Sequence, residues 1–218
     1  MDQLPNQKTK FDIPENIVYL NCASQGPLLK TSCSAGQIGV MRKAQPWNMQ
    51  SRVDTANEIE RCRKAYGSLI GSGPDNIALV HSTSYGIKLA AETLSVAAGQ
   101  NIVVIEDQFP SNFNAWYLKT LEVGAELTIV PTPGDWDWTS AILSVINQDT
   151  AIVATAPCRW TDGSSINLVA LGRRCREVGA ALVVDATQAA GAMALDVNEI
   201  DPDFMVVSGY KWLLCPYT

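Results

Sequence analysis

Lys211 stands after the apolar run Phe204-Met205-Val206-Val207 and the short linker Ser208-Gly209-Tyr210. Asp185 closes a second apolar run, Ala181-Leu182-Val183-Val184. Four apolar residues bounded by polar residues or glycine read as a strand buried on both faces. An acid and an amine, 26 residues apart in the chain, thus fall at the C-terminal ends of two candidate parallel strands, where open α/β sheets hold their ligands. One chemistry needs that pair: an amine that forms a Schiff base with pyridoxal phosphate, and a carboxylate that keeps its pyridine nitrogen protonated. A lysine after a strand is ordinarily a solvated charge, but here Tyr210, Trp212, Leu213 and Leu214 surround it with apolar bulk. Burial disfavours the ammonium form and makes the amine more available at neutral pH. Asp185 taken alone equally suits a cap for a helix starting near Thr187.

Other residues extend the same constellation. Gln188, one helical step from Asp185, is positioned by this reading to donate its amide to a phenolate oxygen; an exposed helix glutamine reads the same way. The run Ser82-Thr83-Ser84-Tyr85-Gly86 follows the apolar run Ile77–Val80 and opens a helical pattern. Backbone N–H groups and hydroxyls converge at such a helix start and suit a phosphate, although capping alone explains the run without a ligand. Phe109, between a strand end and a helix start, is placed either to stack on a flat cofactor or to pack in the core.

The elements that must carry these residues alternate. An amphipathic helix is expected over Asp54–Ile70, followed by strands at Ile77–Val80, Ile102–Ile105, Leu127–Val130, Ala151–Ala154, Ala181–Val184 and Phe204–Val207. Helices are expected over Tyr85–Ala97, Asn112–Val123, Trp138–Ile146 and Leu168–Val178, the last stopped by Gly179. Such alternation implies an α/β fold with a mostly parallel sheet flanked by helices. The first fifty residues, rich in Pro, Gly, Asn and Gln, read as an irregular N-terminal arm, with residues 51–218 as the sheet-bearing domain.

Composition removes several function classes. A hydrophobic content of 47% with 17% charged residues describes a globular chain, and no apolar run reaches the ~18 residues of a membrane span. A net charge of −6 supplies no basic stripe for nucleic acid. The start, Met1–Lys8, lacks the layout of a signal peptide, so a cytoplasmic home is expected. Six cysteines without CxxC spacing read as thiols rather than disulfides or metal ligands. With His81 as the single histidine, a zinc site or a Ser-His-Asp triad is not expected. No G-x-G-x-x-G follows a strand, which argues against a nicotinamide-binding protein.

Together these residues resemble the class V aminotransferase family of fold-type I pyridoxal phosphate enzymes, which includes cysteine desulfurases, selenocysteine lyases, kynureninases and isopenicillin N epimerase. Tyr19-Leu20-Asn21-Cys22-Ala23-Ser24 with Gly26-Pro27-Leu28 is similar to its N-terminal arm. Asp185-Ala186-Thr187-Gln188 resembles its D-x-[AT]-Q segment, and Asp203-Phe204 with Ser208-Gly209-Tyr210-Lys211 its D-F and S-G-[HY]-K segments. The resemblance implies that Lys211 is catalytic and that Asp185 holds the pyridine nitrogen. It also implies that Thr187 and Gln188 contact the ring, that Thr83, Ser84, Ser208 and Tyr210 surround the phosphate, and that Phe109 stacks. Trp160 occupies the place of a substrate-contacting asparagine of desulfurases, and Phe109 that of their stacking histidine. Both departures suit a lyase-like or epimerase-like branch.

What the resemblance implies, then, is a pyridoxal phosphate enzyme acting on a small amino-acid substrate by transaminase, desulfurase, lyase or epimerase chemistry, as a homodimer with no nucleic-acid or membrane partner and no metal. Family members continue well past the lysine, and Cys215 stands where they usually have glycine. The large domain is therefore expected to be incomplete at its C-terminal end, with the Trp212–Leu214 run uncovered. The alternative is a truncated, inactive cofactor-binding fragment that pairs with a full-length partner.

Overall fold

The computed structural model describes residues 5–48 and 52–216; Met1–Leu4 and Tyr217–Thr218, part of the end segments discussed above, lie outside them. Five strands form one sheet: β1 (Asn101–Ile105), β2 (Glu126–Val130), β3 (Thr150–Thr155), β4 (Ala181–Asp185) and β5 (Phe204–Val206). Their spatial order is β2-β1-β3-β4-β5 and every pairing is parallel. The connections carry α4 (Ser111–Val123), α5 (Trp138–Val145), α6 (Leu168–Val178) and the short α7 (Val197–Ile200), while α1 (Lys30–Ala44), α2 (Arg52–Ile70) and α3 (Thr83–Thr93) precede the sheet. This is the α/β architecture expected from the alternation.

Because successive strand side chains point to opposite faces, the continuous apolar runs divide between two cores. Val103, Ile105, Val153, Leu182 and Val184 meet Trp138 and Ile142 of α5 and Leu171 and Cys175 of α6. On the other face Ile102, Val104, Ile152, Val183 and Val206 meet Ile87 and Ala90 of α3 and Trp116 of α4. Asn167 caps α6 by accepting the Ala170 N–H at 3.1 Å, and Gly179 ends it at φ 77°. Gly86 lets α3 lie close on β5, since a Cβ there would sit 2.7 Å from Val206 Cγ1.

Four expectations are corrected. The N-terminal arm contains the fifteen-residue helix α1, whose residues are all exposed or half-exposed; Gly36 and Gly39 and the lack of an apolar stripe hid it from a periodicity argument. Ile77–Val80 runs without regular structure and pairs with no strand among the described residues. No helix starts at Thr187, where residues 187–189 form a turn. The Trp212–Leu214 run is half-buried rather than uncovered: Leu213 packs on the core, and Leu214 reaches the arm at Gly26.

Candidate functional site

The C-terminal ends of β1, β3, β4 and β5 are adjacent, so the loops leaving them enclose one cavity of about 290 Å³. Asp185 ends β4 and is buried, its Oδ1 accepting the Thr187 N–H at 3.1 Å. Lys211, on the loop after β5, is only 7% exposed. Its Nζ lies 5.4 Å from the centroid of the Phe109 ring and 5.9 Å from that of Tyr210. Burial pushes the Lys211 pKa below the ordinary lysine value, partly opposed by the Asp185 charge. Burial pushes Asp185 above the ordinary carboxylate value, opposed by hydrogen bonds from Thr187 and by Lys211. The two groups sense each other inside a low-dielectric site, where an amine of reduced basicity is ready to act as a nucleophile or base.

A hydroxyl cluster lies at the start of α3. Ser82 is the N-cap, its Oγ accepting the Tyr85 N–H at 3.1 Å. Helix geometry leaves the Thr83 and Ser84 N–H groups without intrahelical acceptors, at the positive end of the helix. The buried Thr83 Oγ1 shares a short hydrogen bond with Ser208 Oγ and lies 3.4 Å from Thr187 Oγ1. The Ser208 N–H donates to Thr187 Oγ1 at 3.0 Å. Three segments far apart in sequence are thereby tied together around one hydroxyl, a donor-rich surface suited to a phosphate.

The opposite wall is aromatic. Phe109 and Trp160 meet edge to face with centroids 5.5 Å apart. The Trp160 Nε1–H donates to the Asp107 carbonyl at 2.8 Å, and Asp107 holds a positive φ of 54°. Arg159, buried beneath, pairs with Asp162 at 2.6 Å, approaches Asp107 at 3.8 Å and lies 4.3 Å above the Trp138 ring. The segments after β1 and β3 are thus clamped to each other, which fixes the tilt of Phe109.

The ten candidate site residues line this cavity: Thr83, Ser84, Phe109, Trp160, Asp185, Thr187, Gln188, Ser208, Tyr210 and Lys211. Gln188 also bonds within the chain. Its Nε2 donates to the Ala23 carbonyl and its Oε1 accepts from Trp212 Nε1, both at 2.9 Å. The lining also includes Ser82, from the hydroxyl run singled out above, and His81, Gln108, Ser111, Ala156 and Cys158, to which sequence reasoning gave no role in the site. Their position just after a strand was the available signal for Gln108, Ala156 and Cys158. Gln108 Nε2 and Ser111 Oγ are buried polar atoms with no hydrogen-bond partner among the described residues. Among the described residues no group of three His, Cys, Asp or Glu is placed to hold a metal ion, and no helix is long and apolar enough to cross a membrane.

Comparison with known proteins converges on one family. The chain matches the model described as Aminotransferase class-V over residues 42–217. A cysteine desulfurase of Salmonella dublin is 29% identical over 167 residues, covering 73% of this chain and 40% of that protein. A probable cysteine desulfurase of Methanothermobacter thermautotrophicus is 28% identical over 160 residues, with the same coverage of 73% and 40%. The chain spans about two fifths of the length of these curated relatives. Among solved structures, the apo cysteine desulfurase of Thermococcus onnurineus aligns with a TM-score of 0.84 at 21% identity, covering 99% of this chain and 56% of that one. A C-DES mutant carrying glycine covalently linked to its PLP cofactor also aligns at 0.84, with 19% identity, covering 98% and 58%. At those identities the structural likeness is one of fold.

Proposed function

The chain belongs to the class V aminotransferase family, and from that premise we propose that its cavity binds pyridoxal 5′-phosphate, the cofactor of this family, for a reaction on an amino acid. The donor set fits the group. Among the described residues Asp185 is the one carboxylate lining the cavity, and it is buried, as suits a partner for a pyridinium nitrogen. Phe109 offers a flat face within reach of Lys211 Nζ, and the Thr83, Ser84 and Ser208 hydroxyls with the first amides of α3 offer donors for a phosphate. When bound, the cofactor supplies an electron sink for charge developing at a substrate α-carbon.

The chain's own residues supply the rest. Lys211 provides the amine that holds the cofactor and, once released by an incoming substrate amine, the base that takes the α-proton. Asp185 keeps positive charge on the ring, and Thr187 holds Asp185 in place through its backbone N–H. Phe109 sets the ring plane, and Trp160, fixed by the Asp107 carbonyl, borders the substrate space. Gln188 would reach the ring through the remaining hydrogen of its amide, and Tyr210 would stand near the phosphate. Residues 1–50 act as an arm and 51–218 as the cofactor-binding part of a large domain. The protein works as a homodimer, by analogy with fold-type I enzymes.

The observation that carries this reading is the burial of Lys211 and Asp185 in a single cavity whose opposite wall is Phe109. The reaction type is supported toward sulfur chemistry by relatives described as cysteine desulfurases, whereas Phe109 and Trp160 favour a lyase-like or epimerase-like course. A second reading is a chain that binds the cofactor without turnover. Borohydride reduction of the chain with pyridoxal phosphate, followed by peptide mapping, is expected to label Lys211. Label spread over surface lysines with Lys211 unmarked refutes the assignment. Amino-acid turnover by the labelled-competent chain separates the enzyme from the binding fragment.

A further inference from the structure

A turn in the N-terminal arm rests against the loop that carries Lys211. The N–H groups of Ser24 and Gln25 both donate to the Asn21 carbonyl at 3.1 Å, and Tyr19 Oη donates to the Gln25 carbonyl at 2.8 Å, which closes the turn. From it the Gly26 N–H donates to the Tyr210 carbonyl at 3.0 Å, one residue before the lysine. A Cβ at position 26 would lie 2.1 Å from the Lys211 carbonyl oxygen and 3.1 Å from its carbon, both backbone atoms, and 2.8 Å from Leu214 Cδ2. No side-chain rotation relieves contact with backbone, so any larger residue must move the loop or the arm. Gly26 does not hold a positive φ; the position needs space rather than conformational freedom.

The same turn braces the loop a second time. The Ala23 carbonyl accepts from Gln188 Nε2, and Gln188 Oε1 accepts from Trp212 Nε1, one residue after the lysine. Within the lysine loop the Leu214 N–H donates to the Lys211 carbonyl at 3.3 Å and the Cys215 N–H to the Gly209 carbonyl at 3.0 Å. Leu214 also holds a positive φ of 54°, a conformation that a branched residue keeps only when its surroundings impose it.

We propose that Gly26, with the arm turn it ends, is a positioning residue for Lys211: the arm presses the loop down on the cavity and holds Nζ beneath the Phe109 ring beside Asp185. The arm thereby couples to the functional amine through the backbone of its loop at Gly26 and through the Gln188 bridge to Trp212. This rests on the reading of Lys211 as the cofactor-binding amine, but its test does not require the cofactor.

The test is competitive acetylation of the cofactor-free chain across a pH series, with the Lys211 peptide quantified by mass spectrometry against surface lysines such as Lys88. Gly26→Ala is compared with the parent and with Gly36→Ala, whose new methyl group meets nothing within 4 Å. The Lys211 titration midpoint is expected to rise toward the ordinary lysine value by about half a unit or more in Gly26→Ala, as burial is relieved. It should stay at the parental value in Gly36→Ala. A folded Gly26→Ala chain whose Lys211 profile superimposes on the parent overturns the proposal. Should Gly26→Ala fail to fold, Tyr19→Phe decides, since it loosens the turn without adding volume; a smaller upward shift supports the proposal and an unchanged midpoint overturns it. Failure of borohydride labelling in the parent would instead strike the cofactor reading and leave this measurement interpretable.

Discussion

Replacing Thr83 with valine keeps the shape of the side chain and removes one hydroxyl, the group on which three segments converge. In the cofactor-free chain Thr83 Oγ1 makes one short bond to Ser208 and a long one, 3.4 Å, to Thr187. A net intramolecular hydrogen bond contributes about 1 kcal/mol, and the half-buried Ser208 can turn to water, so the stability loss should be near that value. For a chain of this size that is a fall in Tm of about 2–4 °C. The effect on the cofactor should be larger. A hydrogen bond to a charged phosphate contributes about 1.5–3 kcal/mol, which corresponds to an affinity lower by roughly 10- to 150-fold. Pyridoxal, which lacks the phosphate, should bind with little change. Equilibrium dialysis of both ligands against parent and variant reads the difference directly. Equal losses for the two ligands, or none for pyridoxal phosphate, would show that the phosphate is not held at the start of α3.

Lys211→Met should alter the dependence of stability on pH. Burial holds the folded Lys211 pKa below the ordinary value of 10.5, so between those two values the unfolded chain binds more protons and parental stability rises with pH. Urea midpoints at pH 7 and pH 10 should show the parent gaining relative to Lys211→Met, and parallel curves would refute the buried-amine account. Asp185→Asn removes the charge that partly offsets burial of the lysine. Its Lys211 midpoint, read by the same acetylation series, should fall by about one unit or more, whereas a rise would mean that the two groups do not interact.

The sequence by itself determined the layered fold and the chemical character of the site. Apolar runs such as Ile102–Ile105 and Ala181–Val184 can be satisfied only by a sheet covered on both faces, because each successive side chain needs a core of its own. Once those runs are parallel strands, Asp185 and Lys211 emerge at the same edge, the acid directly after its run and the lysine after the short linker Ser208-Gly209-Tyr210. Gly179 marked the end of α6 through local backbone chemistry that needs no distant partner. The tertiary structure decided what depends on contact between segments far apart in the chain. Gln188 bonds to Ala23, 165 residues away, and to Trp212, which no local pattern announces. Ile77–Val80 has the composition of a strand, yet a strand exists only where a neighbour completes its ladder, and none of the described residues does so. The space left at Gly26 has no local signature either. Its glycine lies outside the left-handed region, and only the approach of the Lys211 carbonyl gives the missing side chain a meaning.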